Sequence, residues 1–515
     1  VDSPVLPSSA GDVLERALAE RPDAEALVAR DGRFTYRDLD DAADRAADAL
    51  FSLGARRGDV IAVSLPNTSD AVVTFHAVMR LGGIWLGINR NLAPLEKIFI
   101  LQDAGAQLLL ADPEVGSDLR GQPVQTELVD VLAGNEGVWR ELTNGSDIRY
   151  PRAHSQPTDA AGIAYTSGTT GRPKGVVHSH RNILLPGAML TAVRGFGPDL
   201  RKGDCAALTI LNMQVTTTLL VAQAGGTQIV MDRADPTSIG EWIQRERVTS
   251  WFGVPTLLHG LTDAPDIAPS TLASLRDVWS GGTWVPDQIR TAFERKFGAR
   301  VYATYGLTEA PTVVTIEPLN EPHVPGSSGR ALPHLCVEIR DEAGTVLPNG
   351  QLAEITVRPT DSGSYRGAAY TPMMRYHKQA SATAATVRGG VLHTGDVGEL
   401  DDRGNLFVRD RRNAVILRGG ANVYPAEVER VLLEHETVVG AAVIGVPDER
   451  LGQRVAAAVE LAPGATMSPD GMAEHCYQRL AKYKVPERWK FVSLPRNAMG
   501  KVSRSTVERL FQEST

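Results

Sequence analysis

The sequence predicts a layered α/β protein: a large N-terminal α/β domain of several subdomains, then a small α+β C-terminal domain. Three observations carry that expectation. At 515 residues the chain is too long for one ordinary hydrophobic core, so two or more structural units are expected. Its first two-thirds alternate segments of helical and strand period, the pattern of layered α/β architecture. Beyond Gly390 the texture changes to a run of glycine and charge from Thr394 to Gly420, containing Arg409, Asp410, Arg411, Arg412 and Arg418. A domain boundary is expected there, with residues 1–410 on one side and 411–515 on the other.

In chain order, residues 35–54 predict a helix, because Leu39, Ala43, Ala46 and Leu50 fall on one face and Gly54 can end it. Residues 59–65 predict a strand, 69–81 a helix and 84–88 a strand. The most apolar window, 206–231, is interrupted by Asn212, Gln214, three threonines and Gly225-Gly226. A membrane span needs roughly 20 mostly apolar residues, so the window predicts a buried strand and helix, and no integral membrane association is expected. Residues 276–279 and 299–304 predict short buried strands, each ending in a loop rich in Gly or Thr. The second domain predicts a strand pair at 441–446 and 454–461, a helix near 472–480, a strand at 489–494 and a final helix.

Composition narrows the function classes. With 43% hydrophobic and 22% charged residues the chain has the make-up of a folded protein. A net charge of -8 argues against nucleic acid as a partner, since that needs a dominant basic face. Cys205, Cys336 and Cys476 are odd in number and far apart, which suggests neither a disulfide framework nor a thiolate metal site. Residues 1–10 have no basic segment and no apolar signal core. A reducing, cytoplasmic setting is expected.

The strongest local signal is Tyr165-Thr-Ser-Gly-Thr-Thr-Gly-Arg-Pro-Lys-Gly175, which follows the strand-like Gly162-Ile-Ala. Closely spaced glycines let backbone N–H groups and the hydroxyls of Thr166, Ser167, Thr169 and Thr170 surround phosphate oxygens, Gly168 gives the chain room, and Lys174 adds positive charge. It is not a Walker-type P-loop, because Lys174 follows Pro173 and precedes Gly175 rather than Ser or Thr. The plainer alternative is a flexible surface turn.

This loop resembles the signature of the acyl-adenylate-forming superfamily, which includes acyl-CoA synthetases, adenylation domains of nonribosomal peptide synthetases and firefly-type luciferases. The resemblance continues in order through nearly the whole chain. Trp279-Ser-Gly-Gly-Thr283 resembles the glycine-rich segment packed on adenine. Tyr302-Ala-Thr-Tyr-Gly-Leu-Thr-Glu309 resembles the segment with an aromatic face, a phosphate-binding Thr and an acidic Mg2+ ligand. His393-Thr-Gly-Asp396 resembles the ribose-binding turn. Arg411 through Gly420, then Asn422-Val-Tyr-Pro, resembles the hinge and the opening of a mobile C-terminal domain. Pro495-Arg-Asn-Ala-Met-Gly-Lys501 resembles the loop carrying the catalytic lysine.

The resemblance implies an ATP-dependent, AMP-forming acid–thiol ligase. A carboxylic acid and ATP would give acyl-AMP and pyrophosphate, and coenzyme A would then give acyl-CoA and AMP. Lys501 would contact the acyl carboxylate and the α-phosphate, and Glu309 would hold Mg2+ with Thr166 as a second contact. Thr308 would bind phosphate and Asp396 and Arg411 the ribose; Gly281, Gly282, Thr283, Thr304, Tyr305 and Gly306 would belong to the nucleotide site, with Tyr305 flanking the adenine and Gly281 also lining the acyl pocket. Gly419 and Gly420 would line the pantetheine tunnel.

Three departures stand out. Asn413 occupies the hinge position where the family commonly has Asp or Lys. Asn212 stands where many family acyl-CoA synthetases have an aromatic gate, often His. With Gln214 it could offer hydrogen bonds to a polar group on the acid; alternatively both are satisfied by backbone in a bent helix. Trp284, where Pro is usual, could floor the acyl pocket or simply pack in the core. Delivery of the acyl group to a carrier protein and a nucleotide-binding regulator without turnover are the competing readings. A homodimer stays open.

Overall fold

The computed structural model describes residues 6–120, 126–130, 138–144, 150, 152–166, 173–282, 285–362, 370–411, 414, 416–418, 421–448, 451–496 and 502–512. Two largely parallel sheets organise the N-terminal domain. Among the described residues the first runs in spatial order Arg330–Ala331, Thr312–Ile316, Val301–Leu307, Asp277–Gly281, Ser250–Phe252, Arg201–Asp204, Thr227–Val230, Glu25–Ala29, Gly32–Thr35. The second runs Arg375–Tyr376, Lys174–Ser179, Ala160–Thr166, Ile84–Gly87, Val60–Ser64, Leu108–Ala111, Glu127–Asp130. Strand Val60–Ser64 is buried along its whole length, as expected of an apolar run covered on both faces of a parallel sheet.

Local chemistry sets the helix ends. Helix Tyr36–Ser52 starts at a reciprocal cap: Asp38 N–H donates to the Thr35 hydroxyl at 3.1 Å, and Thr35 N–H donates to the Asp38 carboxylate at 2.9 Å. Its predicted face, Leu39, Ala43, Ala46 and Leu50, is buried. Helix Ser69–Leu81 occupies the predicted span and is buried on every side. That burial encloses Arg80, whose guanidinium pairs with Asp40 and Asp44 of the first helix. An isolated buried charge would be costly; this one is compensated.

The window 206–231 differs in detail from expectation. Helix Leu211–Met213 runs into a π-helical turn, Gln214–Leu219, then helix Leu220–Ala224 and strand Thr227–Val230. The interruption at Gln214 is a change of helical winding, of the kind frequent at functional sites. Among the described residues no helix is long and apolar enough to cross a membrane.

A third, antiparallel sheet joins Leu335–Arg340, Ala353–Pro359, Val391–Leu400 and Leu406–Arg411. The chain then enters the smaller C-terminal domain. Its sheet contains Ile416–Arg418, Ala421–Val423, Val438–Asp448, Gly452–Leu461 and Arg488–Phe491. Val428, Val431, Leu432, Val443, Val455 and Met472 form a core under helices Pro425–Leu433 and Pro469–Tyr477, while Ile444, Ala456, Val507 and Phe511 form a second under helix Arg504–Gln512. Burying both faces of its sheet within itself gives this domain a core of its own.

Candidate active site

Gly281 and Thr304 lie toward the carboxyl ends of parallel strands, where open α/β sheets place their ligands. Strands Asp277–Gly281 and Val301–Leu307 run side by side in a register that sets Gly281 against Thr304. The approach is close: a methyl group at Gly281 would lie 2.2 Å from Thr304 Oγ1. Thr304 in turn donates to the Ser280 carbonyl at 3.3 Å. Gly282 adopts φ +80°, which explains the second glycine of the pair.

Thr308 and Glu309 occupy the tip of the hairpin joining Val301–Leu307 to Thr312–Ile316, half-buried. The hairpin is tight and strained. Thr312, a β-branched residue, sits at φ +76°, which is unfavourable away from glycine and persists only where the surroundings impose it.

On the second sheet, Thr166 and Lys174 pair directly as partners in antiparallel strands. His178, on the same strand as Lys174, reaches the opposite sheet and donates from Nε2 to the Thr308 carbonyl at 2.8 Å. Because that partner can only accept, Nδ1 is the acceptor for the Asn182 amide at 3.4 Å. Burial pushes His178 down to about 4, against the pull of its bond to Thr308, so the ring is neutral.

The ribose-turn residues come from the third sheet. Asp396 lies opposite Arg411 in the backbone register of strands Val391–Leu400 and Leu406–Arg411. Tyr305 donates its hydroxyl to Asp396 Oδ2 at 2.7 Å, which links the aromatic segment to the ribose turn. The turn is braced from behind: Thr394 Oγ1 donates to the Ile355 carbonyl at 2.7 Å and accepts the Asp396 N–H at 3.1 Å.

The two amide side chains Asn212 and Gln214 part company. Gln214 is fully buried. Its Nε2 donates to the Leu208 carbonyl at 2.8 Å and its Oε1 accepts from Thr218 at 2.7 Å. Of the two readings left open for Gln214, the structure holds the internal one, so it does not address the acid. Asn212 is half-buried; its backbone carbonyl accepts from Thr216 at 2.8 Å, while its side-chain amide bonds no other described residue. The segment lies against strand ends, Thr209 over Gly87 and Leu211 over Gly162.

Ser167, Gly168, Thr169, Thr170, Thr283, Trp284, Asn413, Gly419, Gly420 and Lys501 lie outside the described residues. The stem of the lysine loop is described: Arg496 bridges Val502, and Ser503 N–H donates to the Pro495 carbonyl at 2.8 Å. Cys205, Cys336 and Cys476 are free. Among the described residues no group of three or more His, Cys, Asp or Glu could hold a metal ion. A donor set of one carboxylate and one hydroxyl, Glu309 and Thr166, nonetheless suits Mg2+, which binds few protein ligands and takes the rest from water and substrate phosphates.

Sequence reasoning missed Tyr376, His178 and Asn182. None belongs to a motif with diagnostic spacing. Tyr376 reaches Glu309 from a two-residue strand, and His178 and Asn182 act through contacts distant in sequence.

The comparisons with known proteins agree with this geometry. The model of the AMP-binding enzyme family matches residues 14–362, and that of the AMP-binding enzyme C-terminal domain matches 427–501. The chain is 31% identical to the long-chain-fatty-acid–CoA ligase FadD13 of Mycobacterium tuberculosis over 512 residues, covering 97% of this chain and 98% of the relative. It superposes on the anthranilate CoA ligase AuaEII in complex with anthranoyl-AMP with a TM-score of 0.90 at 26% identity, covering 99% of each chain. Against MatB from Rhodopseudomonas palustris, at 28% identity and covering 98% of this chain and 99% of the other, the TM-score is 0.89 for the ATP-bound form and 0.78 for the apo form. The chain belongs to the AMP-binding enzyme family and is an AMP-forming acid–thiol ligase.

Proposed function

We propose that this ligase joins a carboxylic acid bearing a hydrogen-bonding group to coenzyme A. The observation that carries the reading is the linkage of Lys174 and Glu309 through Tyr376, of His178 and Thr308, and of Tyr305 and Asp396, together with an Asn212 amide that has no partner among the described residues.

In the first half-reaction a carboxylate oxygen of the acid attacks the α-phosphorus of ATP, and the bond to pyrophosphate breaks. Negative charge gathers on the phosphoryl oxygens, so fixed donors and cations aimed there lower the barrier. Lys501 meets the carboxylate and the α-phosphate. Lys174 and the hydroxyls of Thr166, Ser167, Thr169 and Thr170 hold the outgoing phosphates, and Thr308 adds another hydroxyl. Mg2+, held by Glu309 and Thr166, neutralises phosphate charge when bound. Tyr305 lies against the adenine, while Asp396 and Arg411 fix the ribose.

In the second half-reaction the thiol sulfur attacks the acyl carbon, the thiol proton is released and AMP departs. The path for the thiol comes from rotation of the C-terminal domain about Asn413, between the last strand of the third sheet and the first strand of the C-terminal sheet. Glu434 of that domain accepts from the Gln288 side chain at 3.2 Å. Gly419 and Gly420 would flank the pantetheine arm.

For the acid, Asn212 in place of an aromatic gate supports a hydroxylated or carbonyl-bearing chain, because an unpaired amide is disfavoured beside a purely apolar one. The test is a panel of short, branched, hydroxylated, long-chain and aromatic acids with ATP, Mg2+ and coenzyme A, read by thioester mass. Preference for plain alkyl acids would refute the role of Asn212, and acyl-AMP without acyl-CoA would favour a carrier-protein acceptor. Lys501→Ala should lose on the order of 100- to 1000-fold in acyl-AMP formation while retaining its fold. Parental adenylation by that variant would remove Lys501 from the mechanism.

A further inference from the structure

The segment 370–378 straps the two sheets together at the site. Its strand Arg375–Tyr376 adds to the edge of Lys174–Ser179, pairing Tyr376 with Val176. His377 N–H donates to the Gly175 carbonyl at 2.7 Å, and Met373 N–H donates to the Glu309 carbonyl at 2.8 Å across the cleft. Behind it, Asn182 donates to the Pro372 carbonyl at 2.9 Å and accepts from Thr371 at 2.6 Å.

Tyr376 makes the central contact. Its side chain is buried, its hydroxyl donates to Glu309 Oε1 at 2.7 Å, and the Lys174 ammonium lies 5.1 Å from the centre of its ring. One side chain therefore touches both the lysine at the end of the phosphate loop and the carboxylate at the hairpin tip, which stand on different sheets. A buried tyrosine needs a partner for its hydroxyl, and many backbone carbonyls would serve. Here the partner is the carboxylate with the most specific task in the site.

We propose that Tyr376 is a positioning residue that orients the Glu309 carboxylate toward the divalent cation, an inference that rests on reading Glu309 as that cation's ligand. A carboxylate on a hairpin tip turns about its side-chain bonds. A hydrogen bond to one oxygen fixes the plane of the group and with it the direction of its remaining lone pairs. Such outer partners of a metal ligand typically contribute 10- to 100-fold in metal affinity or activity. The ring of Tyr376 separately gives Lys174 a resting place over a π face before the phosphates arrive.

Tyr376→Phe isolates the first role, since it deletes one oxygen and keeps the ring, its burial and the contact with Lys174. The experiment is calorimetric titration of ATP, without acid, at graded Mg2+ and in EDTA. It compares the parent protein, Tyr376→Phe, Glu309→Gln and the double variant, with thermal unfolding recorded for each. The expected result is a roughly tenfold higher Mg2+ concentration at half-saturation for Tyr376→Phe, unchanged affinity for ATP in EDTA, and no further change when Tyr376→Phe is added to Glu309→Gln. Parental Mg2+ dependence in Tyr376→Phe, with dependence lost in Glu309→Gln, would overturn the inference and leave Glu309 as the ligand. Parental dependence in Glu309→Gln would overturn the assignment of Glu309 itself. A fall in metal-free ATP affinity for Tyr376→Phe would show that the hydroxyl supports the phosphate loop generally, and would also overturn it.

Discussion

Gly87→Ala should damage use of the acid before it damages use of ATP. Gly87 ends strand Ile84–Gly87, and the backbone of Thr209 passes directly over it. A methyl carbon there would stand 1.6 Å from the Thr209 carbonyl oxygen, so that oxygen must retreat by at least 1.4 Å to reach the 3.0 Å floor of real contacts. The obstruction is main chain, held on either side: Leu208 N–H donates to Asn67 at 3.0 Å, the Leu208 carbonyl accepts from Gln214 at 2.8 Å, and Met213 N–H donates to the Ile210 carbonyl at 2.8 Å. Overpacking of this kind typically costs about 1–3 kcal/mol, and the upper end applies because backbone yields less than a side chain. At roughly 2.1 cal/mol/K per residue of unfolding entropy, about 3 kcal/mol lowers Tm by only about 4 °C for a domain of this size. The catalytic effect should be larger, since a displacement near 1 Å in a substrate-positioning segment can cost about 100-fold. Steady-state kinetics with the best acid should therefore show kcat/KM for the acid reduced on that order, while calorimetry of ATP without acid stays at the parental value. Parental kcat/KM for the acid would refute the placement of residues 208–212 at the acyl pocket.

Gly281→Ala should show the complementary pattern. Its methyl would meet Thr304 Oγ1 at 2.2 Å and the Thr304 carbonyl at 2.7 Å, so ATP affinity should fall by about tenfold or more under the same 1–3 kcal/mol strain. Thr304→Ala added to it should recover part of the loss; unchanged ATP binding in the single variant would refute the adenine assignment. A separate test concerns pH. His323 bonds Asp287 at 3.0 Å through Nε2 and Glu317 through Nδ1. Burial opposes its charge, but the hydrogen bonds to the two carboxylates outweigh burial and raise His323 above its ordinary 6.5. The His323 hydrogen bond, ahead of burial, lowers Asp287 below its ordinary 3.8. The His323 contribution is thus fully present below pH 6.5 and lost as pH rises through the raised value, whereas that of Asp287 is present above 3.8 and lost on acidification through the lowered one. The Tm deficit of His323→Gln should be larger at pH 5 than at pH 9, and an equal deficit at both would refute the ion-pair reading.

Much of the fold was legible because its elements carry local punctuation. Helix Ser69–Leu81 ends where Gly82 takes φ +72°, and the strands after it are short apolar runs between turn residues. The motif residues were legible for a similar reason: glycine, threonine and charge at fixed spacings state what they must approach. Side chains whose role depends on a partner far along the chain were not. Tyr376 contacts Glu309 and Lys174 from a strand too short to have a period. Asn212 and Gln214, two residues apart, could not be told apart because helical spacing assumes one winding, and the chain changes to a π turn between them.

That π turn also holds the backbone of Asn212, whose side-chain amide has no partner among the described residues. Three successive threonines fix the turn, each to a different anchor: Thr216 to the Asn212 carbonyl, Thr217 to Asp204 at 2.9 Å, and Thr218 to Gln214, while Gln228 donates to the Thr218 hydroxyl at 3.1 Å. Asp204 is itself buried. It pairs with Lys202 at 3.1 Å and accepts the Phe252 N–H at 2.8 Å, while the Lys202 ammonium lies 4.7 Å from the centre of the Trp279 ring. Both charged side chains are buried, where losing one partner of an ion pair typically costs about 3–5 kcal/mol. The same pair therefore links residues 214–219, through Thr217, to strand Asp277–Gly281, through Trp279. Substitution of Thr217 or Lys202 should therefore disturb both segments, whereas a change at Asn212, which lies in helix Leu211–Met213 just before the π turn, should leave that network in place.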